Sequence, residues 1–309
     1  MRLTFITIVV PAHNEENYIE ECLNSLQTQD YPKEKYEIIV VNNNSKDRTR
    51  QIAEEFKVNI IDHKEGPVGA VRNAGAERAR GDYLAFIDAD CIAPKNWVTQ
   101  GVKSLSSDDS VYGGGCDLRL DPHWIERAWL LENKEPPREL LGCCIFIKKS
   151  DFLTVGGFDE TISSGEDTKL SVTLRALGYT IKMKKALNVI HLGNPLTIKQ
   201  FISRQIWHSE NYIQNWVDTK KDVTFYLTVF FIISLTSLTA SMLIENSNMS
   251  LIYLILTLSI PTILTIKRLS RSKNRKHNLE NIFKIYLLDF IYLVGRSVGL
   301  IKSTLKYLK

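Results

Sequence analysis

Four short apolar runs, separated by three stretches with helical spacing, constrain the first half of this chain more than any other feature. They are "TFITIVV" (4–10), "YEIIVV" (36–41), "VNIID" (58–62) and "DYLAFIDAD" (82–90). Such continuous, β-branched runs belong to strands buried on both faces. Between them, "HNEENYIEECLNSLQTQ" repeats Ile19, Leu23 and Leu26 at helical spacing, with Asn14 placed to cap its start. "SKDRTRQIAEEF" and "VGAVRNAGAERAR" (68–80) are the second and third helices, and Gly81 closes the third. Strand–helix alternation of this kind predicts right-handed crossovers and an α/β fold with a mostly parallel sheet. Ligands then bind beyond the C-terminal strand ends, where Pro11–Glu15, Asn42–Asp47 and Asp88–Asp90 all fall. The N-terminal apolar run breaks at Pro11 with no small-residue cleavage site after it, so it reads as a first strand, not a signal peptide.

The last third has a different composition. Val223–Ile244 holds no charged residue in 22 positions, and Ser247–Ile266 none in 20. Each is long enough to cross a hydrocarbon core of ~30 Å. The basic run "KRLSRSKNRKH" follows, which the positive-inside rule places in the cytoplasm, together with residues 1–222. The net charge of +4 is mild, and its basic residues cluster beside these spans, where anionic lipid accounts for them; nucleic-acid binding is not expected. Residues 279–308 carry Asp289 and Arg296 within an apolar stretch. The pattern fits an amphipathic helix at the cytoplasmic interface, with a third or re-entrant span as the alternative. Gly295 and Gly299, four apart, allow close packing on the hairpin. Trp207, Trp216 and Tyr226 stand where a cytoplasmic domain meets lipid headgroups. The expected organisation is an α/β domain at 1–200, an interfacial connector at 201–222, a membrane hairpin at 223–266, and a basic loop with a membrane-associated helix at 267–309. Five cysteines without CxxC spacing imply a reducing compartment and no disulfide frame.

Two carboxylates, Asp88 and Asp90, end the fourth apolar run. In an extended segment, side chains at i and i+2 point the same way, so both converge on the ligand edge. Two hard oxygen ligands there suit Mg²⁺ or Mn²⁺. Taken alone, the spacing fits a solvated strand-end turn equally well.

"VVPAHNEENYIEECLNSLQTQ", "VVNNNSKDRT", "GAVRNAG" and "FIDADC", in this order and at these intervals, resemble the family 2 inverting glycosyltransferases over roughly residues 4–195. That resemblance implies a GT-A-type, Rossmann-like nucleotide-sugar-binding domain. It implies that Pro11, Ala12, Asn14 and Glu15 line the nucleoside pocket and that Arg72 faces the donor diphosphate. Asp88 would touch the ribose or the metal, and Asp90 would hold the metal itself. The family usually has an Asp pair after its second strand, where this chain reads Asn42-Asn43. An amide both donates and accepts, so it still pairs with a base edge, and the donor stays open between UDP- and GDP-sugars. Asp47 keeps its place as an early-helix acid favoured by the dipole.

In "GGFDETISSGEDTKLSVTLRALGY" (156–179), Leu170, Leu174 and Leu177 predict the buried stripe of a helix closing at Gly178. Glu166 and Asp167 open it, where acidic residues favour a helix N-terminus on any reading. Gly-Gly-Phe-Asp followed by Glu-Asp is also the family's acceptor-site pattern, which makes Asp167 the general base, with Glu166 beside it. In several relatives a late His completes the metal shell. His191 stands at such a position, and a hydrogen-bonded structural His is the other reading. "RQIWHSEN" departs from the spacing of the Q-x-x-R-W box of processive synthases, which favours transfer of a single sugar. A membrane-held site implies a lipid-linked or membrane-proximal glycan acceptor. The contrasting expectation is a non-catalytic nucleotide-sugar-binding or scaffold relative. The segment 117–141 is expected to shape the acceptor pocket.

Overall fold

The computed structural model describes residues 4–131, 136–210, 212–213, 216–273 and 276–308. Residues 132–135 of the 117–141 segment, 274–275 of the basic run, Asn211 and Lys309 lie outside the described residues. The chain divides into two compact units, Met1–Arg119 with Pro136–Gly193, and Leu120–Glu135 with Asn194–Lys309.

The first unit is built on β1 (Ile6–Ala12), α1 (Ile19–Gln27), β2 (Tyr36–Asn43), α2 (Thr49–Glu55), β3 (Asn59–His63), α3 (Val68–Arg78) and β4 (Tyr83–Phe86). β5 (Cys91–Ile92), α4 (Trp97–Leu105), β6 (Val111–Gly113) and β7 (Cys116–Asp117) follow; the next helix, α5 (Trp124–Leu130), belongs to the second unit. β8 (Ile145–Lys148), α6 (Lys149–Thr154), α7 (Glu166–Ala176), β9 (Ile181–Met183) and β10 (Val189–His191) complete the first. The main sheet runs β3-β2-β1-β4-β8-β6-β9. β1 pairs in parallel with β2 and β4, β2 pairs in parallel with β3, and β8 lies antiparallel to both β4 and β6. The expected mostly parallel sheet is therefore present, with one reversed strand. Every residue of β1 is buried, as its unbroken apolar run requires. Core clusters lie on both faces: Leu23, Val98 and Phe146 on one, Val71, Phe152 and Leu174 on the other. A small second sheet, β5-β10-β7, stands apart from the large one.

Several local expectations change. The fourth strand stops at Phe86, and Asp88 to Cys91 form a turn closed by Cys91 N–H donating to the Asp88 carbonyl (3.0 Å). Asp88 and Asp90 are thus not successive same-face residues of a strand. α1 begins at Ile19, and Asn14 does not cap it. Asn14 instead adopts a left-handed φ of 57° and accepts from Lys46 N–H (2.8 Å), joining the loops after β1 and β2. Leu177 sits at the end of α7 and is 57% exposed, so the buried stripe consists of Leu170 and Leu174.

The second unit gathers α5 with α8 (Ile198–Ser209), α9 (Trp216–Thr219), α10 (Val223–Leu243), α11 (Ser247–Arg271) and α12 (Leu279–Tyr307). α10 and α11 are long and apolar enough to cross a membrane, with mean hydropathy 1.8 and 2.0. α12 buries Ile285, Leu288, Leu293 and, fully, Asp289. Thr265 Oγ1 and Arg268 Nη2 donate to that carboxylate at 3.0 and 2.7 Å, and Arg268 Nη1 donates to the Trp129 carbonyl of α5 (2.9 Å). Gly295 and Gly299 do allow close packing, but against α8 and not the hairpin. A Cβ at Gly299 would lie 2.5 Å from the Ile206 carbonyl, and one at Gly295 2.7 Å from Gln205 Cβ. Trp207, Trp216 and Tyr226 are exposed.

Candidate active site

The first unit gathers its chemistry along the C-terminal edge of β1, β2 and β4. α3 works as a bracket there. Asn73 clamps the Gly-Gly-Phe-Asp loop, accepting from Phe158 N–H and donating to the Phe158 carbonyl, both at 2.9 Å. One residue earlier, Arg72 is 3% exposed and bridges two carboxylates. Its Nη2 donates to Asp88 Oδ1 and its Nη1 to Glu166 Oε1, each at 2.6 Å. The end of the fourth strand segment and the start of α7 are therefore tied through one guanidinium. Fork geometry makes Arg the residue for such a bridge. Gly142 makes room for it, since a Cβ there would fall 2.4 Å from Arg72 Nη2.

Asp167 is partly buried beside this bridge. Gly142 N–H donates to its Oδ2 (3.0 Å) and Thr168 N–H to its Oδ1 (2.6 Å). Burial, then the neighbouring Glu166 charge, push its carboxyl up to about 6, against the opposing pull of Gly142 N–H and Arg72. A carboxylate that ionises near neutrality has the basicity a general base needs.

Asp90 faces a different partner. Its Oδ2 lies 3.5 Å from His191 Nε2, and its carbonyl accepts from Leu192 N–H (2.7 Å). Gly193 leaves the space beside it, because a Cβ there would lie 2.0 Å from Asp90 Oδ2. A carboxylate oxygen and an imidazole nitrogen at that separation fit adjacent ligands of one Mn²⁺- or Mg²⁺-sized ion, whose bonds of about 2.1 Å place neighbours ~3 Å apart. The residues present therefore suit the divalent ion that the resemblance implies, with Asp90 and His191 as its protein donors. Asp88 is held on Arg72 and lies outside the Asp90–His191 pair.

The remaining predicted donor-side residues line the strand ends. Pro11 and Ala12 are the last two buried residues of β1. Glu15 N–H donates to Thr49 Oγ1 (2.7 Å), and Asp47 accepts from Glu16 N–H, which makes Asp47 a loop clasp as well as an early-helix acid. Asn42 and Asn43 sit at the end of β2 with their amides engaged by protein groups. Asn42 Nδ2 donates to Asp62 Oδ1 (2.9 Å), while Asn43 donates to the Gly66 carbonyl (3.0 Å) and accepts from its N–H (3.1 Å). Asp62 thus brings a carboxylate to the edge where Asn42 has none, and its position on β3 gave no sequence cue. Gly142 was also missed, since nothing in "LGCC" signals a backbone donor for a base. A further unforeseen feature is a set of thiols near Asp90. Cys116 Sγ and Cys143 Sγ are 3.5 Å apart, and Cys91 Sγ donates to Asp90 Oδ1 at 3.5 Å.

A seven-stranded mixed sheet with carboxylates collected at its C-terminal edge is the α/β arrangement that the resemblance to GT-A-type domains implies. The glycosyl transferase family 2 model matches residues 7–151, most of the first unit, and marks that segment as a glycosyltransferase domain. Glycosyltransferase AglE of Haloferax volcanii is 28% identical over 233 residues, covering 70% of this chain and 75% of AglE. The poly(ribitol-phosphate) β-N-acetylglucosaminyltransferase TarS of Staphylococcus aureus is 39% identical over 90 residues, which span 27% of this chain and only 16% of TarS. Among solved structures, the mannosyltransferase PcManGT from Pyrobaculum calidifontis, in complex with GDP-Man and Mn²⁺, aligns with a TM-score of 0.65 at 17% identity. That alignment covers 96% of this chain and 87% of PcManGT and establishes a shared fold.

Proposed function

We propose that this glycosyltransferase is membrane-anchored, inverting and divalent-metal dependent, and that it moves one sugar from a nucleotide-diphosphate donor to a lipid-linked or membrane-proximal glycan acceptor. The observation that carries the reading is the Asp88–Arg72–Glu166 bridge with Asp167 beside it, since it joins a donor-side carboxylate to a basic group of suitable pKa. Pro11, Ala12, Asn14 and Glu15 line the nucleoside side, with Asn42, Asn43 and Asp62 beside them. Asp88 steadies the ribose side of the donor, and Arg72 places positive charge below the diphosphate while fixing Asp88 and Glu166. Asp90 and His191 hold the ion, which when bound neutralises charge on the departing nucleoside diphosphate. Asp167 takes the proton from the acceptor hydroxyl; that oxygen bonds to the anomeric carbon as the bond to the diphosphate oxygen breaks, which inverts the centre. α10 and α11 form the membrane hairpin, and the basic run after α11 favours a cytoplasmic catalytic unit, where nucleotide sugars are made.

The test follows hydrolysis of a panel of UDP- and GDP-sugars by the detergent-solubilised full chain, with and without Mn²⁺, beside Asp90→Ala. One donor is expected to turn over only with metal, and Asp90→Ala to abolish it. Turnover indifferent to both metal and Asp90 would overturn the metal assignment, and turnover of no donor would overturn the donor class. Gly193→Ala offers a finer check. Its methyl group displaces the Asp90 carboxylate, and Mn²⁺ affinity read by electron paramagnetic resonance should fall about 10–100-fold. Unchanged affinity would remove Asp90 from the ion's ligands.

A further inference from the structure

The helical unit holds a cavity of about 210 Å³ that no residue of the candidate active site lines. Its walls come from α5, α10, α11 and α12, all members of that unit. Thr224 lies at the start of α10, and Leu264, Lys267, Arg268 and Arg271 at the end of α11, so the cavity sits where both apolar helices end. Trp129 of α5 and Tyr292 of α12 give it an aromatic side, with ring centroids 5.3 Å apart, and the Arg268 guanidinium lies 4.3 Å over the Trp129 ring. Asp289 neutralises Arg268. Lys267 and Arg271, one turn apart, are exposed, and among the described residues neither meets a carboxylate. Asp222 is engaged in capping α10, where it accepts from Thr224 N–H (2.8 Å). The dipole at a helix C-terminus favours cations, which accounts for basic residues at the end of α11 but not for an aromatic-walled cavity beside them.

We propose that this cavity binds the phosphate headgroup of an anionic lipid in the cytoplasmic leaflet; the inference rests on the membrane-anchored reading above. Lys267 and Arg271 supply charge-assisted hydrogen bonds to the phosphate oxygens. Trp129 and Tyr292 are the amphipathic rings that favour headgroup depth, and Leu130 and Leu264 give the first lipid carbons an apolar wall. The volume is below the roughly 300 Å³ at which pockets for whole small-molecule ligands begin, so the cavity takes a headgroup and not a nucleotide sugar. Basic residues beside a membrane span attract anionic lipid diffusely in any case. What the walls add is a single place for one phosphate, with its charge met by two cations that have no internal partner.

The test titrates the full chain in detergent micelles with lipid and counts the bound molecules by native mass spectrometry. Phosphatidylglycerol should fill one tight equivalent, and zwitterionic phosphatidylcholine should bind at least about 10-fold more weakly. Lys267→Gln and Arg271→Gln together should weaken the tight equivalent about 10–30-fold. Lys273→Gln and Lys276→Gln together remove the same charge from the same basic run, outside the cavity, and should leave it unchanged. Equal losses from the two pairs would show diffuse attraction and overturn the site, as would phosphatidylcholine binding as tightly as phosphatidylglycerol. Thermal melts report whether each pair folds, and Arg271→Gln alone decides the matter if the first pair does not. Competition identifies the source of the phosphate. A polyprenyl phosphate or phosphatidylglycerol winning supports the proposal, whereas inorganic phosphate displacing either at equal concentration overturns the lipid. Alkaline carbonate extraction of membranes tests the anchor by itself. A carbonate-resistant chain without the tight equivalent defeats the cavity alone, and a chain released by carbonate defeats anchor and cavity together.

Discussion

Asp167→Asn lowers kcat by about 10²–10⁴-fold, the range for loss of a general base, while the dissociation constant of the nucleotide diphosphate stays unchanged. The wild-type rate should fall as pH drops below about 6, because burial and Glu166 hold the Asp167 carboxyl near that value. The residual rate of the variant should lack this acidic limb. Stability moves the other way. The native carboxyl keeps its proton to higher pH than the unfolded chain's does, so between about pH 4 and 6 the native state holds more protons and loses relative stability as pH rises. At pH 7 the ionised Asp167 therefore costs stability, and this pH dependence should be absent in Asp167→Asn, whose NH₂ group must face the N–H of Gly142 or Thr168 in place of an accepting oxygen. Enzyme assays and thermal melts across pH check both halves. A variant that keeps its rate, or whose stability still falls between pH 4 and 6 as the wild type's does, would refute the assignment.

Arg72→Ala should be the most destabilising single change in the catalytic unit. It removes a cation that is 3% exposed and leaves two carboxylates without their partner. Breaking a buried ion pair from one side costs about 3–5 kcal/mol, which lowers an apparent melting midpoint by roughly 6–20 °C. The Asp88 side chain is 28% exposed and Glu166 only 7%, so most of the loss arises at Glu166. Arg72→Lys should recover part of it, because one ammonium cannot hold both carboxylates with the two-pronged geometry of Arg. Differential scanning calorimetry of the three proteins measures this. A near-normal melt for Arg72→Ala, with only nucleotide affinity lost, would make Arg72 a donor contact without a structural role.

Much of the catalytic unit was legible because its first four strands are continuous apolar runs whose burial leaves them no alternative. β5, β7 and β10 were not, since elements of two or three residues carry no periodicity. The positions of Asp88, Asp90 and Asp167 were found from motif order, yet the partners of those residues were not. Arg72 meets Glu166 across 94 residues of sequence, and Gly142 meets Asp167 through a backbone N–H that any residue carries. The turn at Asp88–Cys91 escaped because "FIDADC" alternates like a strand, while tertiary pairing ends β4 at Phe86. In the helical unit, glycine spacing revealed that a close approach exists but not to which helix, since α8 and the hairpin are equally suitable surfaces on composition alone.

The buried Arg268–Asp289 pair also governs how the helical unit is made. Arg268 is synthesised 21 residues ahead of Asp289, so α11 is complete before the group that neutralises its guanidinium exists. α12 is therefore no trailing appendage that could be trimmed for expression. A chain cut before Asp289 would leave Arg268 without its carboxylate, and a chain carrying Asp289→Ala would fail at the same late stage of assembly, after the earlier helices are in place.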